Sequence, residues 1–297
     1  MPQDPFNLAD NSSYQRWREQ KLQNYPSRGE DLLVEVKNPR ALSTAELDAL
    51  HSCCHKSNMV FYATSCANDA DKAIPRSIAR QLGLRRLDHN LLADEDGWTS
   101  LSVANTGQRQ EYIPYTSRAL NWHTDGYYNA STERIGAFQL HCVQPAAEGG
   151  DNGLLDHEIA YILLRDANPD FIAALMEPDA MTIPAREDEE GVARPAQTGP
   201  VFSKNSDGSL HMRYTARKRS IVWKASPLTL AAVKFLEELL AQPSPYIFHA
   251  RLASGMGLIC NNVLHDRSVF RDNEQHKRLI YRARFYDRVN AREEMPA

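Results

Sequence analysis

The sequence lacks the long apolar runs that a membrane-spanning helix requires. Nowhere in its 297 residues does an apolar stretch approach the roughly 18 residues of such a span. Residues 1–10 have neither the basic start nor the apolar stretch of a secretory signal. We therefore expect a cytoplasmic protein that does not bind membranes.

Cysteine and an excess of positive charge are also scarce. The chain has an odd number of cysteines, five, and no Cys-x-x-Cys pair, which argues against a disulfide framework and a structural zinc site. The formal net charge is -4 at pH 7, so the chain as a whole does not attract nucleic acid. We expect a small molecule as the partner, and an anionic one would need a local basic pocket.

The remaining composition, 42% hydrophobic and 24% charged, is that of an ordinary globular chain. It is long enough for one sizeable core, so we expect a single domain over residues 1–297. Two helices are predicted from the residues that begin them. Ser43 is followed three residues later by Glu46, a capping-box pattern, and Ser226 and a proline precede the amphipathic residues 228–241.

Three later segments are predicted to be strands. Residues 137–143 alternate, with apolar side chains expected on one face and the polar Gln139 and His141 on the other. Such a strand would line a barrel cavity with its polar face. Residues 257–265 form a buried apolar segment that reaches a histidine, and residues 278–285 alternate again.

The triplet His123-Thr124-Asp125 places an imidazole and a carboxylate two residues apart at the end of a predicted strand. The composition yields about one His-x-Asp triplet by chance, so the spacing alone proves nothing. Standing alone, the pair would be better interpreted as a strand-end histidine and a turn-forming aspartate. A metal site needs a third ligand, and His265 is the candidate.

Arg278, Arg282 and Arg284 are expected on one face of the last strand. Burying unpaired guanidinium groups is costly, so these side chains need an anionic partner, which a dicarboxylate ligand would supply. Two histidines and one aspartate suit an iron oxygenase, because they leave coordination positions open. A zinc hydrolase can use the same ligands, and the arginine beyond the second histidine favours iron.

Taken together, these residues resemble the iron(II)- and 2-oxoglutarate-dependent dioxygenases of the TauD/TfdA group, nearest the gamma-butyrobetaine and trimethyllysine hydroxylase branch. The resemblance covers residues 112–288. The matching pieces occur in the family's order: Tyr115, His123-Thr124-Asp125, residues 138–142, Gly149-Gly150-Asp151, residues 262–267, and Arg278 thirteen residues after His265.

The resemblance implies a mainly β fold with flanking helices, an α+β fold built on a double-stranded β-helix or cupin-like jelly roll. Residues 1–110 would be a scaffold of helices and strands, and residues 111–290 the metal-binding jelly-roll core. Residues 180–200 would be a lid-like insert, in which residues 186–198 are charged, contain Gly and Pro, and are predicted to be a mobile loop over the site. Relatives often pair, so a homodimer or homotetramer stays open.

The resemblance also implies the ligands of a metal and a co-substrate. His123, Asp125 and His265 would hold Fe(II), and Arg278 would bind the C5 carboxylate of 2-oxoglutarate. Asn152 stands where relatives usually carry Thr or Ser, and its amide can donate the same hydrogen bond to the co-substrate. The implied activity is hydroxylation of an unactivated C–H bond of a small polar metabolite by dioxygen. 2-Oxoglutarate would be decarboxylated to succinate and CO2.

Candidate substrate-binding residues follow from the same resemblance. Tyr115 matches a substrate-pocket aromatic, and Arg282 matches a position that contacts substrate or co-substrate in relatives. Together with Arg213 and Arg217, they suggest a molecule with an anionic end and an apolar or cationic part.

Other interpretations remain open at this level. His141 is better explained as a hydrogen-bonded polar group than as a ligand, and Arg284 and the run 217–219 as solvated or ion-paired. The aromatic side chains of Tyr112, Tyr127 and Tyr128 suit core packing as well as a cage for a quaternary ammonium. The protein could also be a sensor that binds metal and 2-oxoglutarate without turnover, or a metal-dependent hydrolase.

Overall fold

The computed structural model describes residues 4–89, 92–188, 191–217, 219 and 221–290. Among these residues, no helix combines the length and the apolar character needed to cross a membrane. The α-helices are α1 (Asn11–Leu22), α2 (Thr44–Ser57), α3 (Ala73–Gln81), α4 (His157–Ala167), α5 (Pro169–Leu175) and α6 (Pro227–Ala241).

The described residues also form β-strands, which lie between and after these helices along the chain. They are β1 (Leu33–Val36), β2 (Met59–Thr64), β3 (Thr99–Leu101), β4 (Leu120–His123), β5 (Ala137–Gln144), β6 (Glu148–Gly149), β7 (Asn152–Leu155), β8 (Met181–Ile183), β9 (Arg186–Asp188), β10 (Gly191–Arg194), β11 (Gln197–Gly199), β12 (Phe202–Lys204), β13 (Leu210–Met212), β14 (Val222–Trp223), β15 (Ile247–Ala250), β16 (Met256–Cys260), β17 (Leu264–Arg267), β18 (Phe270–Arg271) and β19 (Leu279–Phe285).

The chain forms two compact units. The first unit comprises Met1–Tyr25, Asn121–Arg134 and Leu155–Ile247, and the second comprises Pro26–Leu120, Ile135–Leu154 and Phe248–Ala297. The prediction of one domain, with a scaffold before residue 111 and a core after it, stays a prediction.

A six-stranded sheet organises the second unit, with strand order β1-β2-β16-β5-β19-β3. β1 and β2 are parallel, and the remaining pairs are antiparallel. One face packs against α2 and α3 through buried residues such as Leu50, Ile78 and Tyr281. α2 begins where the capping box predicted, since the Ser43 hydroxyl accepts from the Glu46 N–H and the Glu46 carboxylate accepts from the Ser43 N–H.

Helices dominate the first unit. α4, α5 and α6 pack on one another, and α6 begins at Pro227 with Ser226 as its N-cap, as predicted. α1 lies against α4, where Lys21 Nζ is 2.7 Å from Asp156 and 2.5 Å from Glu158. This ion pair is buried, with Asp156 fully enclosed, so α1 is held by charge as well as by packing.

Two of the sequence-based assignments were wrong. Residues 257–265 are not one strand, because Asn262 adopts a left-handed backbone (φ 53°) and separates β16 from β17. Its side-chain amide donates to the Ile135 carbonyl at 3.0 Å. Within residues 186–198, expected to be a loop, Arg186–Asp188 and Gly191–Arg194 pair as an antiparallel hairpin, and residues 189–190 of that expectation lie outside the described residues.

The predicted faces of residues 137–143 were also interpreted wrongly. Gln139 and His141 do not line a cavity, since both are fully buried and bond to the Tyr62 hydroxyl, at 2.9 and 3.0 Å. Phe138 lies on the opposite face of β5, and its ring centroid is 4.4 Å from that of His265. The apolar face of this strand therefore faces the candidate ligand His265, whereas the polar face meets the Tyr62 hydroxyl of β2, which is separated from β5 by β16 in the sheet.

Candidate metal and co-substrate site

Backbone hydrogen bonds in the first unit fix the His-x-Asp segment. The Thr124 N–H donates to the Tyr214 carbonyl at 3.0 Å, and the Tyr214 N–H donates back to the Thr124 hydroxyl at 3.1 Å. The Ala216 N–H donates to the Trp122 carbonyl at 2.8 Å. Thr124 is fully buried, so its side chain acts as part of the backbone ladder and sets the direction of the two side chains beside it.

The His123 ring is held by a bond to its own strand. Its Nδ1 lies 2.8 Å from the Asn121 carbonyl oxygen, which makes Nδ1 the protonated nitrogen. Nε2 is therefore the nitrogen that can bind a metal, and it lies 3.7 Å from Asp125 Oδ1. Both side chains are buried.

His265 in the second unit is oriented by the same kind of hydrogen bond. Its Nδ1 lies 3.0 Å from the carbonyl oxygen of Val263, two residues earlier, and the residue is buried. A histidine whose Nδ1–H is bound to a carbonyl presents a neutral Nε2, which is the form that ligates metals.

Among the described residues, His123, Asp125 and His265 form a group that could hold a metal ion, because one ligand atom of each lies within 4.8 Å of the others. Two imidazole nitrogens and one carboxylate oxygen fit Fe(II) or Zn(II) as a donor set. The three residues predicted to be metal ligands are thus brought together.

Arg278 lines a small cavity in the second unit, together with Gly150, Asn152 and Arg251. The Arg278 side chain is only 5% exposed, and its Nη1 has no hydrogen-bond partner among the residues that the structure describes. Burial lowers the pKa of Arg278 to about 10, so the guanidinium remains protonated at neutral pH. A buried, charged and incompletely bonded guanidinium can hold an anion.

The Gly149-Gly150 turn creates the room beside this arginine. Both glycines have a positive φ, 69° and 79°, and a Cβ on Gly149 would lie 2.2 Å from the Val269 carbonyl oxygen. A Cβ on Gly150 would lie 3.7 Å from Arg278 Nε. The Ser268 hydroxyl accepts from the Gly150 N–H at 3.1 Å and so closes the turn.

A second buried arginine adds positive charge nearby. Arg267 and Arg278 both lie over the ring of Phe270, at 5.0 and 5.1 Å from its centroid. Burial, with a smaller contribution from the charge of Arg278, lowers the pKa of Arg267 to about 9. Arg267 donates to backbone carbonyls, including that of Thr116 at 2.8 Å, and these neutral acceptors leave its charge uncompensated.

The remaining predicted site residues, Asn152, Tyr115 and Arg282, lie in different environments. Asn152 is buried in the wall of the cavity, and its Nδ2 is 3.5 Å from the Ala250 carbonyl oxygen. The Tyr115 hydroxyl donates to the Leu92 carbonyl at 2.9 Å, and the residue is 2% exposed. Arg282 stands opposite Leu140 on β5 and is half-buried. Their roles toward a ligand stay predictions.

Two arginines whose binding partners the sequence did not determine, Arg284 and Arg213, bond to groups of the protein itself. Arg284 forms an ion pair with Asp88, so it is paired within the fold, as the less specific interpretation held. Arg213 donates to the carbonyl oxygens of Tyr127 and Gln197, at 2.7 and 2.6 Å. Of the basic run 217–219, Arg217 and Arg219 are exposed, and Lys218 lies outside the described residues.

Sequence reasoning missed Arg251 and Ser268. Arg251 lines the cavity of Arg278 while donating to the Ala146 carbonyl at 2.7 Å. Neither residue is part of a recognisable motif, and only the folded chain brings them beside the Gly-Gly turn.

The chain matches the family model described as "Taurine catabolism dioxygenase TauD, TfdA family" over residues 25–284. A relative from Amycolatopsis named uridine-5'-phosphate dioxygenase is 33% identical over 57% of this chain, and the match spans only 62% of that protein. A Streptomyces protein of the same name is 30% identical over 65% of this chain and 71% of its own length.

The fold is shared with a solved asparagine oxygenase in complex with Fe(II), 3-hydroxyasparagine and succinate. That structure has a TM-score of 0.54 at 11% identity and covers 96% of this chain and 92% of its own. The α+β fold with a cupin-like core, expected from the motifs, is thus confirmed, whereas the nearer likeness to the gamma-butyrobetaine branch stays a prediction. Because the family model spans most of the chain, the protein belongs to the TauD, TfdA family of dioxygenases.

Proposed function

We propose that the protein is an Fe(II)- and 2-oxoglutarate-dependent dioxygenase that oxidises an unactivated C–H bond of a small polar metabolite. The observation that carries this proposal is Arg278, a buried guanidinium whose Nη1 has no partner and which lines a cavity closed by a Gly-Gly turn. The C5 carboxylate of 2-oxoglutarate supplies the missing acceptor and the missing negative charge.

His123, Asp125 and His265 are the proposed iron ligands. Both histidines use Nδ1 to bond a carbonyl, which leaves Nε2 for the metal, and the aspartate supplies a carboxylate oxygen. When bound, the metal and 2-oxoglutarate supply oxidation by dioxygen, with decarboxylation of 2-oxoglutarate to succinate and CO2. The chain itself orients the ligands and excludes water from them by burial.

Asn152 and Arg251 complete the proposed co-substrate pocket beside Arg278. The Asn152 amide replaces the hydroxyl that the family usually carries, and it can donate to a carboxylate as a Thr or Ser does. Arg251 adds a second cation, which suits a doubly charged co-substrate.

The names of two relatives indicate which substrate to test first. Both are called uridine-5'-phosphate dioxygenases, and the matched segments include more than half of this chain. We therefore place uridine-5'-phosphate first among candidate substrates, ahead of taurine, which the family description names.

The test is succinate formation by purified protein with Fe(II), ascorbate, 2-oxoglutarate and uridine-5'-phosphate. We expect His265→Ala to abolish 2-oxoglutarate turnover, because the metal loses one of its three ligands. His249→Ala, which changes an exposed histidine on β15, is the matched control and should retain full turnover.

Other results would favour the alternatives. Binding of metal and 2-oxoglutarate without any succinate, even from slow uncoupled turnover, would indicate a sensor. Zinc in the purified protein, with no effect of 2-oxoglutarate on any activity, would indicate a hydrolase and would contradict the proposal.

A further inference from the structure

A second, open cavity lies within the first unit, and most of the side chains that line it are polar. The first residue in the sequence that lines this cavity is Gly126, which directly follows the proposed ligand Asp125. Arg134, Arg213 and His211 contribute its basic groups, and no carboxylate occurs among the described residues that line it. The cavity is therefore positively charged and adjoins the His-x-Asp segment in the chain.

Arg213 is held rigidly in this wall by neutral acceptors. Its Nε donates to the Tyr127 carbonyl at 2.7 Å, its Nη2 to the Gln197 carbonyl at 2.6 Å and its Nη1 to the Met181 carbonyl at 3.3 Å. These bonds occupy three of the five N–H groups of the guanidinium. Because the acceptors are neutral carbonyls, they do not neutralise its positive charge. Burial, and then the neighbouring charges of Arg134 and Arg194, lower the pKa of Arg213 to about 10.

The two neighbouring arginines also lack acidic partners. Arg194 donates to the Pro184 carbonyl at 2.6 Å, again a neutral group. Arg134 is half-buried and makes no side-chain hydrogen bond with any described residue. Across the described ranges, no carboxylate lies within 4.0 Å of Arg134, Arg194 or Arg213. The charges of Arg134 and Arg194 both act on the more deeply buried Arg213, and no described carboxylate neutralises any of the three, so an anion at this place would be favoured.

We propose that this arginine pocket, in which Arg134 and Arg213 line the cavity and Arg194 adds its charge near Arg213, binds the phosphate group of a phosphate-monoester substrate. The inference rests on the proposed function, since it identifies the substrate class of the same site. A phosphate monoester carries a charge of about -1.5 to -2 at pH 7 and three acceptor oxygens, so it matches several guanidinium groups better than a singly charged sulfonate or carboxylate. The planar fork of N–H donors bonds phosphate oxygens in pairs.

The position of the pocket in the chain suits a substrate-anchoring role. Arg213 precedes residues 214–216, whose backbone holds His123 and Asp125 in place. Arg213 also bonds the carbonyl of Tyr127, two residues after Asp125. The segment that fixes two of the metal ligands therefore also carries the phosphate anchor, so a substrate held by its phosphate has a fixed register relative to them.

The experiment measures ligand affinities by calorimetry on anaerobic protein loaded with Mn(II) and 2-oxoglutarate. The probes are uridine-5'-phosphate, uridine, inorganic phosphate and taurine. The variants are Arg134→Ala, Arg134→Lys and, as a matched control, Arg80→Ala, which removes an exposed arginine of α3. Arg134 is chosen because it makes no hydrogen bond within the described fold, so its loss should not affect folding.

We expect uridine-5'-phosphate to bind wild-type protein at least about tenfold more tightly than uridine. In Arg134→Ala, the affinity for uridine-5'-phosphate should fall by at least about tenfold. Arg134→Lys should retain part of it, Arg80→Ala all of it, and inorganic phosphate should compete. Phosphate binding that depends on Arg134, without binding of uridine-5'-phosphate, would support the pocket and direct attention to another phosphate monoester.

The inference would be overturned if neither phosphate compound bound, if both bound Arg134→Ala as tightly as wild type, or if taurine alone required Arg134. A titration with 2-oxoglutarate of the Mn(II)-loaded protein separates the two proposals. Failure to bind 2-oxoglutarate contradicts the proposed function, whereas normal 2-oxoglutarate binding without phosphate binding contradicts the arginine pocket alone.

Discussion

Replacing Arg278 by methionine should change ligand binding and stability in opposite directions. The substitution removes the charge and the donors while keeping an unbranched side chain of similar reach in the cavity. If Arg278 binds a carboxylate of 2-oxoglutarate, the variant loses charge-assisted hydrogen bonds of roughly 1.5 to 3 kcal/mol. We therefore expect the affinity for 2-oxoglutarate to fall by about 10- to 100-fold.

The ligand-free protein should not lose stability in the same way. Burial lowers the pKa of Arg278 from 12.5 to about 10. Because the folded-state value lies below the unfolded one, keeping the charged form opposes folding at every pH below about 10, by about 3 kcal/mol. Methionine removes this cost but also loses the contact of the guanidinium with the Phe270 ring, worth about 1 kcal/mol. The net expectation is unchanged or higher stability without ligand.

The assay pairs calorimetric titration of 2-oxoglutarate with thermal unfolding of the ligand-free protein. Arg284→Met is the matched control, since Arg284 is buried on β19, the strand that begins directly after Arg278, but forms an ion pair with Asp88. Its removal leaves a buried carboxylate uncompensated and should destabilise the protein by about 3 to 5 kcal/mol. An Arg278→Met protein that binds 2-oxoglutarate normally, or that unfolds as easily as Arg284→Met, would refute the reasoning.

Three further predictions concern the fold around the site. Gly149→Ala should cost about 2 to 4 kcal/mol in urea unfolding and weaken 2-oxoglutarate binding, because its Cβ would lie 2.2 Å from the Val269 carbonyl oxygen. Lys21→Met should cost about 3 to 5 kcal/mol, because it leaves Asp156 buried without its cation. Stability should fall by about 3 kcal/mol as the pH drops from 6.5 to 4, because burial lowers the pKa of His141 to about 4 and only the unfolded chain takes up the proton in that range.

Each of these three predictions has a control within the chain. Gly208→Ala changes a glycine that also has a positive φ, 83°, but meets no atom within 4 Å, so it should cost only the backbone strain of about 1 kcal/mol. Lys234→Met breaks an exposed pair and should cost less than about 1 kcal/mol. His141→Gln should flatten the pH dependence between 6.5 and 4, and an unchanged slope would contradict the assignment to His141.

The sequence carried enough information to predict the candidate metal ligands and the candidate anion-binding arginine. His123 and Asp125 lie in one short motif, and the order in which His265 and Arg278 follow it produced the resemblance to the TauD/TfdA group from which their roles were predicted. Each histidine is oriented by a carbonyl of its own segment, two residues earlier, which needs no distant partner. The backbone of residues 214–216, which holds the His-x-Asp segment in place, could not be predicted in this way because it lies about 90 residues further along the chain.

The polar face of β5 could not be predicted for the opposite reason. Alternation shows that Gln139 and His141 share a face, but the Tyr62 hydroxyl that bonds both of them comes from β2, more than 70 residues earlier. When that partner is not known, the polar face of the strand is interpreted as the wall of a cavity. The break at Asn262 was missed for a similar reason, since an apolar run with a central Asn-Asn gives no sign that one asparagine adopts a positive φ.

The two proposed anion-binding sites differ in how far their residues are separated along the chain. Arg278 stands within a recognised spacing, whereas Arg134, Arg194 and Arg213 come from three segments that share no motif, and of these only Arg213 was a candidate from the sequence. What distinguishes them in the fold is the kind of acceptor they meet. Arg284 meets a carboxylate, which neutralises it, while Arg194 and Arg213 meet only carbonyl oxygens, which hold a guanidinium in place and leave its charge available. Arginines fixed by neutral acceptors are therefore the ones whose removal should affect ligand affinity more than stability.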